Sequence, residues 1–306
     1  MKETWFFDRL APCRKFGHLI EREIYKGKTA FQDVQILQSR AFGKILALDG
    51  DLQSTQFDEY IYHEILVHPA MFGHSSPEKV LIIGGGEGAT LREVLKHRSV
   101  KHAVMVDLDR ELIEICKEYL PEWSKNTFYD KRLIQVFQDA KEYLLNREET
   151  FDVIISDLVE PFRDSPARFL VTKEFYELIK SRLSEKGIFV MQASMAGPRD
   201  NFLHSVFYRT LSTVYKKVYS FGVYIPSYCI RWGFIIATDD DSLPLRWEDI
   251  QSKIEAKLEG ELSFYDSEAH KAVFARLKPV RIALEKQTGI FTDNDTSLLT
   301  EPHRFL

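Results

Sequence analysis

From Lys79 onward, short continuous apolar runs alternate with amphipathic stretches, and this constrains the chain more than any other feature. Residues 80–83, 103–106, 133–137, 153–155 and 187–192 are strand-sized and largely β-branched. Between them the spacing predicts helices over 87–97, 109–119, 139–146 and 172–183, then one more over 201–214. Strands that are apolar along their whole length are buried on both faces. With helical connections, that means a mostly parallel sheet covered on two sides. Two further strands are expected at 217–224 and 233–237. The expected fold class is therefore α/β, a doubly wound Rossmann-like sheet.

The first 57 residues read differently. Runs at 18–25, 31–38 and 44–48 are alternating or β-rich, and Lys26-Gly27-Lys28 and Leu48-Asp49-Gly50-Asp51 read as turns. Asp-Gly is a strong hairpin signal. The expectation is a small antiparallel β domain over 1–57, then a Rossmann-like catalytic domain over 58–306 whose helical, charged tail begins at Leu245. A helix over 58–72 would take Asp58 as N-cap and place Ile61, Ile65, Leu66 and Ala70 on one face. The helices over 109–119 and 172–183 read as scaffold, and Asp239-Asp240-Asp241 as a solvated turn.

Composition narrows the function classes. Hydrophobic residues are 44% of 306, enough for a full core. No uncharged apolar stretch is long enough to span a membrane, and the N-terminal residues lack a signal-peptide core. Cys13, Cys116 and Cys229 lie too far apart to suggest a zinc site or a disulfide framework, so reduced thiols and a cytoplasmic location are expected. With 41 Lys+Arg against 46 Asp+Glu, a net charge of -5 favours cationic partners over nucleic acid.

The run Val80-Leu81-Ile82-Ile83-Gly84-Gly85-Gly86-Glu87-Gly88-Ala89 sets a glycine turn between a buried strand and a helix. Gly84 and Gly86 permit close approach of a ligand, as in a dinucleotide fold, and Asp107 ends the next strand, where a carboxylate accepts ribose hydroxyls. Glu87 argues against a nicotinamide dinucleotide, because an anion inside the loop repels a pyrophosphate and attracts a cation. Carboxylates are also favoured at helix starts for capping alone. Gln138-Asp139-Ala140 supplies a further acidic group, placed to accept from an adenine amino group. An acidic adenosine pocket suits an S-adenosyl sulfonium compound.

Ile154-Ile155-Ser156-Asp157-Leu158-Val159-Glu160-Pro161 ends the fourth strand, on the same crevice. Asp157, Glu160 and Glu87 would repel one another unless a cation or proton neutralised them. A polyamine would do so. An alkylamine with a pKa near 10 is neutral in only about one molecule in a few thousand at pH 7, so a base or an orienting anion is needed; Asp157 fits either role. A sulfonium leaving group permits in-line displacement without a metal, and no ligand spacing for a metal is present. Tyr60, Tyr62, Tyr224, Tyr228 and Trp232 would line an alkyl-polyamine channel, although aromatics this numerous also build cores. His63 and His68 fall on opposed helix faces, His68 reading as structural and His204 as an ordinary helix residue.

At these residues the chain resembles the polyamine aminopropyltransferases, the spermidine synthase family, over nearly its whole length. The stretches that carry the likeness are Gln32-Asp33, Leu48-Asp49-Gly50, Asp58-Glu59-Tyr60-Ile61-Tyr62-His63-Glu64, Gly84 to Glu93, Asp157 to Pro161, and Tyr224-Ile225-Pro226-Ser227-Tyr228. The resemblance implies a class I methyltransferase-like fold. It also implies decarboxylated S-adenosylmethionine as co-substrate with no tightly bound cofactor, release of methylthioadenosine, and a homodimer or homotetramer joined through the N-terminal β domain. By the same resemblance Gln32, His63 and Glu87 hold the sulfonium and aminopropyl part, Asp107 the ribose and Asp139 the adenine. Asp157 activates the acceptor, and Tyr62, Glu160 and Tyr228 line its channel. Glu87 in place of the usual Asp, the apolar Leu158-Val159 and the Cys229 to Gly233 run look more like thermospermine synthases, with spermidine as the expected acceptor. Agmatine or putrescine is the nearest competitor, and a methyltransferase the distant one.

Overall fold

A computed structural model describes residues 3–8, 15–161, 165–241, 243 and 245–299. Cys13 lies outside them. Five strands, β1 (Thr4–Asp8), β2 (Phe16–Lys28), β3 (Asp33–Ser39), β4 (Gly43–Leu48) and β5 (Asp51–Thr55), pair antiparallel in chain order. The Asp-Gly turn joins β4 to β5 as expected: Asp49 and Gly50 sit at φ 51° and 82°, the left-handed pair that such a hairpin requires. The turn expected at Lys26-Gly27-Lys28 is elsewhere. Those residues continue β2, paired as far as Lys28 with Asp33, and the chain reverses at Thr29–Gln32, where the Thr29 N–H donates to the Gln32 carbonyl at 2.9 Å. The Thr29 hydroxyl also accepts from the N–H groups of Phe31 and Gln32, a side-chain turn that needs no glycine.

The second sheet has the order β11-β12-β10-β9-β6-β7-β8. Its strands are β6 (Lys79–Gly84), β7 (His102–Asp107), β8 (Leu133–Phe137), β9 (Phe151–Asp157), β10 (Leu183–Met195), β11 (Lys217–Ile225) and β12 (Ile230–Thr238). Strands β10, β9, β6, β7 and β8 run parallel; β12 and β11 close one edge antiparallel. This is the Rossmann-like arrangement. Chain order reverses between β6 and β9, so a crevice opens at their carboxyl ends.

The helices are α1 (Glu59–Gly73), α2 (Ala89–Leu95), α3 (Arg110–Tyr119), α4 (Pro121–Ser124), α5 (Ala140–Leu145), α6 (Lys173–Ser181), α7 (Phe202–Ser212), α8 (Ile250–Lys257), α9 (Ser267–Phe274) and α10 (Lys278–Lys286). Alternate residues of β6 serve opposite faces. Val80 and Ile82 pack with Ile65 of α1 and Leu91 of α2, while Leu81 and Ile83 pack with Phe175 of α6 and Phe207 of α7. Burial on both faces is why the strand reads as an unbroken apolar run. Helix α1 is buried on nearly every side, beyond the single face expected, because the tail covers it: the Glu64 carboxylate accepts three backbone N–H bonds, from Ser263, Phe264 and Tyr265, at 2.7–2.8 Å. Asp239 and Asp241 form a turn after β12, each paired to a lysine, Lys180 and Lys217. Among the described residues no helix is long and apolar enough to cross a membrane.

Candidate active site

The glycine loop is shaped by how closely three strand ends meet. Gly84 lies at φ 78°, and a Cβ there would stand 2.4 Å from the Asp157 carbonyl oxygen, which also accepts the Gly85 N–H at 3.0 Å. A Cβ on Gly86 would come within 3.1 Å of Asp107 Oδ2. Glu87 does not cap α2, whose N-cap is Gly88. Its carboxylate turns back to His63 Nε2 at 2.8 Å and accepts the Ser54 hydroxyl at 2.6 Å. The capping explanation of Glu87 is thereby removed.

His63 bridges two carboxylates. Its Nδ1 faces the Glu59 carbonyl oxygen at 2.7 Å and Glu59 Oε2 at 2.9 Å, so both ring nitrogens meet only oxygen acceptors, as a doubly protonated ring requires. Burial opposes that charge, but the bonds to Glu59 and Glu87 outweigh it and hold the imidazole pKa well above its ordinary value. Behind it Arg92, 5% exposed, takes Glu59 in a two-point grip at 2.8 and 2.9 Å and also pairs with Glu93 at 2.7 Å. Burial again opposes the charges. The imidazolium and guanidinium overcome it and keep the Glu59 carboxyl below the usual range. Trp123 donates its indole N–H to the Ser54 oxygen at 3.0 Å, which leaves the serine proton for Glu87. His68 joins this group only through Glu93, with His97 on its other nitrogen, and His204 is held by the Ala193 carbonyl and the Ser220 hydroxyl.

Next to the loop, burial pushes Asp107 up to about 6, with the nearby charges of Asp109 and Asp157 adding to the rise. Its Oδ1 accepts the Asp109 N–H at 2.8 Å. Asp109 caps α3 through Leu112 N–H and accepts from Thr29 Oγ1 at 2.6 Å and Gln32 Nε2 at 2.9 Å. Gln32 thus reaches the site through Asp109, with its amide N–H committed there. Asp139 caps α5 by accepting the Glu142 N–H at 2.9 Å, and Ala140 is the buried first residue of that helix.

Asp157 ends β9 between two hydroxyl donors, Tyr62 to Oδ1 at 2.9 Å and Thr90 to Oδ2 at 2.6 Å. Burial raises its pKa, and the His63 charge and the two hydroxyls counter only part of that. Glu160 goes further, to about 7, through burial and the neighbouring Asp51 charge, opposed by a bond from Ser194. Among the described residues its Oε2 is buried with no hydrogen-bond partner, and so is the indole nitrogen of Trp232. Tyr228 donates its hydroxyl to the Gln53 carbonyl, packs edge-on to Trp232 at 5.3 Å, and is raised well above the ordinary phenol value by burial and by Glu87, Asp58 and Asp157. Tyr224 departs from expectation: it is 56% exposed on the outer face of β11, because strand alternation turns it away from its buried neighbours Val223 and Ile225. Tyr60 packs half-buried against the core.

Several residues of the cluster had not been singled out: Ser54, Glu59, Thr90, Arg92 and Asp109. Arg92 and Glu93 side by side on an otherwise apolar helix were the one available signal, since buried charges occur in pairs. Nothing local marks Thr90 or Ser54. Among the described residues no group of three His, Cys, Asp or Glu side chains could hold a metal ion.

The sequence matches the Spermine/spermidine synthase domain over residues 59–245 and the Spermidine synthase tetramerisation domain over 4–56. It is 40% identical to the polyamine aminopropyltransferase of Sulfurisphaera tokodaii, with 94% of this chain and 95% of the relative covered. For the enzyme of the same name from Aeropyrum pernix the identity is 42%, covering 94% and 93%. The spermidine synthase of Thermotoga maritima superposes with a TM-score of 0.84 at 33% identity, covering 94% of this chain and 96% of that one. A spermidine synthase in complex with the transition-state analogue AdoDATO gives 0.85, again at 33% identity, with 94% and 97% covered.

Proposed function

The chain belongs to the spermine/spermidine synthase family, and from that membership we propose that it is a polyamine aminopropyltransferase using decarboxylated S-adenosylmethionine. The observation that carries the reading is Asp157, held by Tyr62 and Thr90 at the crevice mouth beside the His63–Glu87 pair. The neutral acceptor amine attacks the aminopropyl carbon next to sulfur. A C–N bond forms, the C–S bond breaks, and sulfur leaves as the neutral thioether methylthioadenosine. Asp157 orients the amine and receives or relays its proton, in keeping with its raised pKa. Asp107 accepts the ribose hydroxyls, Asp139 and Ala140 meet the adenine, and Gln32, His63 and Glu87 flank the sulfonium and aminopropyl chain beside Gly84 and Gly86.

On the acceptor side Tyr62, Glu160, Tyr228 and Trp232 form the channel. Anionic lining continues past Asp157 to Glu160 and Asp51, which supports an acceptor with several ammonium groups, and we take it to be spermidine, converted to thermospermine. A diamine acceptor is the second reading, favoured by the solved neighbours being spermidine synthases. A methyltransferase donor would bring a carboxylate toward Glu87, which repels it. Residues 1–57 would form the oligomerisation domain of a cytoplasmic homodimer or homotetramer, with 58–306 catalytic.

The test incubates purified protein with decarboxylated S-adenosylmethionine and putrescine, agmatine, spermidine or norspermidine in parallel. Methylthioadenosine with spermidine, and a product co-eluting with thermospermine, is the expected result. Product with only a diamine or agmatine overturns the acceptor. S-adenosylhomocysteine formed from S-adenosylmethionine, with no methylthioadenosine, overturns the class.

A further inference from the structure

Asp58 occupies the N-cap position of α1, where its carboxylate was expected to cap the helix, yet the carboxylate makes no bond to that helix, and only the Asp58 carbonyl accepts the Ile61 N–H, at 3.0 Å. It reaches across the molecule to the turn between β11 and β12. Oδ2 accepts the Ser227 backbone N–H at 2.7 Å, and Oδ1 accepts the Ser227 hydroxyl at 2.9 Å and the Thr55 hydroxyl at 2.7 Å. Asp58 is 1% exposed and Ser227 fully buried, so these charge-assisted bonds are shielded from competing water. Forgoing a cap that aspartate readily supplies shows where the carboxylate is better satisfied.

The next residue in the turn is Tyr228, whose hydroxyl meets the Gln53 carbonyl of β5 while Trp232 packs edge-on to its ring. Cys229 follows at φ 52°, in the left-handed region that non-glycine residues seldom occupy. The turn is therefore fastened at two adjacent residues, by Ser227 to the start of α1 and by Tyr228 to β5 of the N-terminal sheet. One fastening is the Asp58 carboxylate; the other is Tyr228 itself.

We propose that Asp58 is a positioning residue for the acceptor: through Ser227 it fixes the β11–β12 turn and so sets where Tyr228 stands in the channel. The inference rests on the aminopropyltransferase reading above. The donor side is held by contacts that do not involve this turn. Asp109 is tied to Thr29 and Gln32, Glu87 to Ser54 and His63, and Glu59 to Arg92. Loosening the turn therefore acts on the acceptor and spares the donor.

The experiment measures steady-state kinetics in both substrates for Asp58→Ala, Asp58→Asn and Ser227→Ala. Asp266→Ala, which removes an exposed cap from α9, serves as a stability control. Deleting a bond to a buried carboxylate should raise the acceptor KM about tenfold in Ser227→Ala and more in Asp58→Ala, with the donor KM within about twofold of wild type. Asp58→Asn keeps an oxygen for the Ser227 N–H and should recover part of the loss. Acceptor and donor KM rising together overturns the proposal. So does a lowered Tm like that of Asp266→Ala with the acceptor KM unchanged. If Asp58→Ala fails to fold, Ser227→Ala, which loses only a hydroxyl, decides. A wild type that releases no methylthioadenosine with any acceptor overturns the functional reading and this one with it, whereas an active wild type with an unsplit KM overturns this one alone.

Discussion

Asp109 takes hydrogen bonds from Thr29, Gln32 and Leu112, and Glu87 takes them from His63 and Ser54. On the proposed acceptor side, among the described residues, Glu160 Oε2 and the Trp232 indole nitrogen are buried without any partner. The proposed donor side is thus answered by the protein itself, and the proposed acceptor side is partly left open. Each unmet buried polar group costs about 1–3 kcal/mol, a cost that a bound ligand can remove. The difference suggests a division of labour. A pocket whose carboxylates are already hydrogen-bonded receives the same donor every time, and an incompletely satisfied channel gains from whichever ammonium groups fill it.

The largest expected effect is on the residue between the two sides. Asp157→Asn removes the charge at constant shape and should lower turnover by about 10²–10⁴ with donor affinity nearly unchanged, measured by initial rates and by calorimetric titration of the donor. Near-normal turnover would place the base elsewhere. Next, removing a donor-side cation should be felt as stability: Arg92→Met takes the guanidinium from Glu59 and Glu93, leaving them only His63 and the His68–Lys96 pair, and should cost about 3–5 kcal/mol, read from denaturant unfolding. A loss below 1 kcal/mol would show that this side is not held by its ion pairs.

Glu160→Gln should raise the acceptor KM about tenfold and leave the donor KM alone; equal effects on both would dissolve the comparison. The smallest effect is a separation on the pH axis. Asp107 titrates near 6 and must be ionised to accept two ribose hydroxyls, so donor affinity should hold above pH 6 and fall, by up to about tenfold per unit, below it. Glu160 titrates near 7 and attracts an ammonium only when ionised, so the acceptor KM should improve as pH rises through 7. Superimposable profiles for the two substrates would contradict these assignments.

Legibility in the sequence follows the same divide. The strands of the second sheet were expected within a few residues of where they lie, because burial on both faces writes itself as continuous apolar runs. Asp107 and Asp157 were legible as strand-end groups, and Glu87 as an acid inside the glycine turn between them. The turn at Thr29–Gln32 was not, since a threonine hydroxyl does there what Gly27 was expected to do. Nor was the role of Asp58, which a local rule assigned to its own helix although its partner is Ser227. Gln32 was placed by resemblance along the sulfonium, and the structure adds a contact that no local signal gave, its amide donating to Asp109.

By itself the sequence determined the alternation of strand and helix, the loop that only glycines can form at Gly84, the acid inside that loop at Glu87, and the acidic ends of β7 and β9. These are local consequences of side-chain period and backbone sterics, and they survive in any register. The tertiary structure alone decided which buried donor meets which carboxylate: Thr90 with Asp157, Ser54 with Glu87, Ser227 with Asp58. Such pairs join residues distant in the chain. A hydrogen bond tolerates only a few tenths of an ångström, so the pairing exists only once sheet register and helix packing have placed both ends.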